Sequence, residues 1–165
     1  MALWNPKPPV EQVRNGYRIN LDVEERELLQ RLFEQLRALL LGPSDDPALT
    51  RLFPAAYHQP QHQEHDAEYQ RLMREELVAS RLTGLATVEE ALTTTPPLTE
   101  EQILAFMQAL NGLRLVLGTV LDVSEDQETE EVADDDPHVA EHHLYHFLSW
   151  LLEWTVRAMR RSVPR

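Results

Sequence analysis

The chain has 165 residues, a formal net charge of −13, 42% hydrophobic and 26% charged residues, and no cysteine. Its length suits about one domain and its balance a folded globular chain, while the absence of thiols excludes disulfides, thiolate nucleophiles, thiol switching and cysteine zinc sites. The acidity opposes contact with a phosphate backbone, so direct nucleic-acid binding is not expected.

The opening "MALWNPKPPVEQ" lacks a charged region followed by an apolar one, and nowhere do about eighteen apolar residues run uninterrupted. A cytoplasmic protein without a membrane span is therefore expected, with residues 1–9 as an N-terminal arm. In "EQVRNGYRINL" the pair Asn15-Gly16 separates two short alternating runs, which predicts a β-hairpin because both residues tolerate positive φ. In "INLDVEERELLQRLFEQLRALLLG" Asp22 is an N-cap with Glu25 three residues on, leucines recur at helical spacing, and Gly42 is a stop. A helix over 23–41 follows. Asp46 before Pro47 opens a further helix that Pro54 limits to about two turns.

Residues 61–92 carry few helix breakers, and Gly84 is expected to end or bend one helix before a shorter one reaches Leu92. After the "TTTPP" loop, Thr99 and Gln102 form a capping box at the head of "EEQILAFMQALNGLRLVLGTVL", apolar enough around its circumference to be the central core helix. Gly112 and Gly118 each weaken that helix by about 1 kcal/mol relative to alanine, so they are expected to admit a close neighbour. Residues 122–136 hold nine acids and no glycine, which predicts a solvated acidic loop and not a calcium loop. Asp136-Pro137 starts the last helix, whose terminal arginines suit the negative end of its dipole. The sum is a mainly α, single-domain bundle of about five helices over residues 1–165, with a small N-terminal β-hairpin.

The last helix carries the densest chemistry. His138, His142 and His146 stand four residues apart and form one stripe, the weak candidates for a zinc or nickel site. Placed on a helical wheel, they lie with Ser149 and Glu153 within about 40° of a common direction, opposite Leu144, Leu148, Leu151 and Thr155, so the stripe reads first as a solvated face. The HExxH pattern is absent, as are GxSxG, the phosphate-binding GxxxxGK[ST] and GxGxxG. Adjacent carboxylates such as Glu75-Glu76 and Glu89-Glu90 point in different directions and read as surface. No catalytic residue and no cofactor is assigned. Arg114, within "NGLRLVLG", needs a partner if buried, and Glu75 or Glu76 on the preceding helix is the expected one. Trp150 falls at the border of the apolar face of the last helix, with Trp154 further inward and Arg157 toward the polar side. That edge is a candidate surface for a protein partner or a homodimer.

The blocks "RLFPAAY" (51–57), "EYQRLMREEL" (68–77), "LTEEQILAFMQALNGLRLVLGTVLDVSED" (98–126) and "YHFLSWLLEWTVRAM" (145–159) resemble an actinobacterial family. It is a domain of unknown function named for the oxidative-stress transcriptional regulator AosR, and its members are often encoded beside the protease adaptor ClpS. The resemblance covers almost the whole chain in order. It implies a non-enzymatic regulator acting through protein contacts, such as with the transcription machinery, or alternatively an adaptor-type partner of the Clp protease system. A metal-binding protein or metallohydrolase using the histidine stripe is the rival class. The redox response that the resemblance implies rests on a cysteine pair that this chain lacks, and Gly112 stands where the resemblance leads one to expect an acidic residue beside the asparagine.

Overall fold

The computed structural model describes residues 6–53, 63–121 and 135–161. In chain order these form strands β1 (Val10–Val13) and β2 (Gly16–Ile19), helix α1 (Val23–Leu41), a 3₁₀ turn (Pro47–Leu49), and helices α2 (Gln63–Thr93), α3 (Glu100–Leu121) and α4 (Val139–Arg160). Residues 1–5 of the arm, with Trp4 as an expected cover for Trp150, and 122–134 of the acidic segment lie outside the described residues, as do His58, His62 and the side chain of His65, which could add metal ligands to the histidine stripe only if their segment packs there.

The hairpin pairs Val10 with Ile19 and Val13 with Gly16. Its turn is Arg14-Asn15, one residue earlier than expected: Asn15 takes the left-handed conformation at φ 72°, while Gly16, at φ 158°, already begins β2. A Cβ on Gly16 would run into the Leu98 carbonyl oxygen. Glycine there lets Tyr17 and Leu98 exchange backbone hydrogen bonds of 3.0 and 2.8 Å, which tie the hairpin to the head of α3.

Local chemistry sets the ends of α1 and α3. The Asp22 side chain accepts from the Glu25 N–H at 2.7 Å while Glu25 accepts from the Asp22 N–H at 3.2 Å, and α1 stops before Gly42. Thr99 and Gln102 make the same reciprocal pair, 3.1 and 2.9 Å, ahead of α3. Asp46 does cap, accepting from the Ala48 N–H at 2.9 Å, but it opens a 3₁₀ turn of three residues and not a two-turn helix. Asp136 accepts from the His138 N–H at 2.7 Å before α4.

Among the described residues there are four α-helices where about five were expected, because Gly84 does not interrupt α2 and the segment after Asp46 forms only a 3₁₀ turn. Leu85, Val88, Ala91 and Leu92 beyond it are all buried. Burying a large apolar side chain stabilises by about 1.5–3 kcal/mol, which outweighs the roughly 1 kcal/mol cost of one helical glycine.

One contiguous core draws on both strands, the 3₁₀ turn and all four helices, with Leu29, Phe33, Val88, Ile103, Phe106, Leu110 and Leu151 shut off from solvent. At its centre, α3 touches α1, α2, α4, the 3₁₀ turn and β2, while α4 also packs on β1. With a mean hydropathy of 1.5 over its most apolar stretch, α3 is long and apolar enough to cross a membrane by composition. Its central position accounts for that apolarity. Arg26 pins the periphery: its guanidinium donates to the carbonyls of Ile19, Leu21 and Leu92, joining β2, the start of α1 and the end of α2.

Candidate interaction surface

Along α4 the buried positions are Tyr145, Leu148, Leu151, Thr155 and Ala158, and His138 and His146 lie exposed. His142 and Ser149, expected with them, are half-buried, Ser149 lying against Arg114 of α3. Among the described residues no group of three His, Asp or Glu side chains stands close enough to hold a metal ion.

Arg114 is half-buried, and its partners on α4 replace the expected pairing with Glu75 or Glu76. The Arg114 Nε–H donates to the Ser149 hydroxyl at 2.9 Å, and the guanidinium lies 5.5 Å from the centre of the Tyr145 ring. Glu75 and Glu76 are exposed on α2. The expectation failed because it assumed which face of α3 carries Arg114, and that depends on how α3 and α4 are rotated against each other. Glu89 is also less of a surface residue than expected: it pairs with Arg37 of α1 at 2.9 Å, and its other oxygen, Oε1, is buried with no hydrogen-bond partner among the described residues.

Trp150 is 44% exposed, with its ring 6.1 Å from that of Phe147. Trp154 is half-buried beneath the Arg157 guanidinium, 5.4 Å away, and Arg157 also pairs with Glu153 at 2.7 Å. Both partners of this last pair are largely in water, where such pairs contribute little.

Among the described residues, four exposed large apolar side chains cluster on α2, which sequence reasoning passed over. Tyr69 and Leu72 are each 53% exposed, Leu77 44% and Met73 37%. Tyr69, Met73 and Leu77 recur every four residues and so share one face. A period-four count over residues 69–77 finds this stripe in the sequence.

This face runs into a cavity of about 230 Å³ between α2 and α3. Leu36 of α1 and Leu85, Ala105 and Ala109 supply apolar wall; Leu77 belongs to both stripe and cavity. Ser80, Arg81, Gln108 and Asn111 bring polar groups to it. The Arg81 guanidinium rests where Gly112 has no side chain, Nη1 being 3.2 Å from the place a Cβ would occupy, and lies 5.9 Å from the Phe53 ring. Burial pushes its pKa below the ordinary arginine value, yet a guanidinium stays charged at neutral pH. No hydrogen bond or ion pair to Arg81 occurs among the described residues.

These features define a mainly α-helical protein, arranged about an apolar α3, that presents an apolar and arginine-bearing face on α2. The chain belongs to the family described as Domain of unknown function (DUF2017), whose model matches residues 7–159. No curated protein and no solved structure matches it.

Proposed function

We propose that this chain is a non-enzymatic regulatory protein of the cytoplasm that works through protein–protein contacts, in the manner its resemblance to the AosR-named family implies. The observation that carries the reading is the α2 stripe: four large apolar side chains exposed within nine residues, Tyr69, Leu72, Met73 and Leu77. Clustered apolar surface of this kind marks partner binding more often than isolated exposed residues do. Trp150 with Phe147 offers a second aromatic anchor at the opposite edge of the bundle's sequence, suited to a partner or a second copy. The transcription machinery is the first partner to test, and a net charge of −13 favours contact with protein over contact with DNA.

Co-elution with purified RNA polymerase holoenzyme from the host tests this directly. The expected result is a complex with the parent chain and none with the Leu72→Asp, Leu77→Asp double variant, whose helical circular dichroism is retained. A parent chain that ignores polymerase and instead co-elutes with ClpS overturns the transcription reading in favour of the Clp adaptor. Light scattering on Trp150→Ala separates self-association from hetero-contact.

A further inference from the structure

We propose that the groove between α2 and α3 is a binding site for a carboxylate carried on a short apolar body, with Arg81 as its anchor. Three observations carry this. First, the guanidinium is half-buried and lacks any carboxylate or carbonyl partner among the described residues, although twenty-eight acids outnumber fifteen basic residues in the chain. A buried charge without a partner costs stability, and an incoming carboxylate removes that cost with two parallel N–H···O bonds to the planar fork. Second, the glycine at 112 keeps open the space that Arg81 Nη1 occupies, and Phe53 backs the guanidinium. The guanidinium therefore sits at the cavity, among its lining residues. Third, the remaining lining divides into polar Ser80, Gln108 and Asn111 and apolar Leu36 and Leu85, which suits a ligand with one charged end.

Size and charge narrow the class. At about 230 Å³ the groove is smaller than the roughly 300–1,000 Å³ of sites for drug-sized ligands, and suits a short-chain acid or the side chain of a glutamate. A phosphate dianion is disfavoured because the groove lies against the middle of α2 and α3, away from helix N-termini, and offers one guanidinium in a strongly acidic chain. The carboxylate comes either from a free small acid or from an acidic side chain presented by a partner seated on the adjoining α2 stripe.

Hexanoate titrated into isotope-labelled protein, followed by amide NMR, tests the shared chemistry, with hexanamide as the neutral isostere. Shifts confined to the neighbourhood of Ser80, Gly84, Gln108 and Asn111 are expected with hexanoate, at least tenfold weaker with hexanamide and in Arg81→Met. The variant should melt at or above the parent temperature, because it relieves a desolvated charge. An equal response to hexanamide, an undiminished response in Arg81→Met, or no response to hexanoate overturns the site. Leu72→Asp, which lies outside the cavity, should leave hexanoate binding intact, so loss of the partner and loss of this site are separately visible. A small acid retained in native mass spectra of protein from its own host assigns the free ligand. Loss of polymerase co-elution in Arg81→Met assigns the partner's carboxylate instead.

Discussion

On the α4 side of α3, Arg114 donates to Ser149, lies over Tyr145, and sits four residues before a glycine at which the Tyr145 ring comes within 3.4 Å of where a Cβ would be. On the α2 side, Arg81 rests against Gly112 without a hydrogen bond among the described residues, and a cavity of about 230 Å³ stays open beside it. Both seams set an arginine beside a glycine of α3, Arg114 from α3 itself and Arg81 from α2. One is closed by polar contacts and aromatic packing, so its arginine supports the fold; the other leaves an arginine waiting on something outside the described chain. Arg81 packs against Gly112 and the Phe53 ring but makes no hydrogen bond or ion pair among the described residues, which is what the proposed carboxylate would supply.

The comparison is broken most severely by emptying the closed seam. Leu148 is buried at 1% exposure, and Leu148→Ala should cost about 2–5 kcal/mol in urea unfolding. A cost under 1 kcal/mol would mean that α4 is not packed as described. Next comes Arg26, which belongs to neither seam but ties three carbonyls together: Arg26→Met should cost about 2–3 kcal/mol and expose the end of α2 to faster hydrogen exchange near Leu92. Exchange that accelerates uniformly would point to global loss instead of a local tie.

A sharper contrast sets the two seam arginines side by side. Arg114→Met should lose about 1–2 kcal/mol, the worth of a charge-assisted hydrogen bond and a ring contact in a half-buried setting, whereas Arg81→Met should lose nothing. Equal losses would erase the distinction between the seams. The smallest effect belongs to the histidine stripe, where replacing His138, His142 and His146 together with glutamine should move the melting temperature by about 2 °C or less, with or without added zinc. A zinc-dependent rise in the parent that the triple variant lacks would restore the metal reading.

What residues within four positions of each other decide was readable in advance. The Asp22–Glu25 and Thr99–Gln102 boxes, Asn15 in its turn, Asp46 before Pro47 and the apolar face of α4 all act through their own or adjacent backbone, so α1, α3 and the hairpin came out close to expectation. Gly84 marks the limit of that local reading, since its cost is set against burial of Leu85 and Val88 of the same helix in a core built from other elements. Partners were decided only by tertiary structure. Arg114 reaches Ser149 across thirty-five positions and Arg26 reaches Leu92 across sixty-six, and the Arg81 cavity needs three helices to enclose it. Composition and spacing state that an arginine must be satisfied; the rotation and depth of one helix against another determine which group satisfies it, and at Arg81 whether any does.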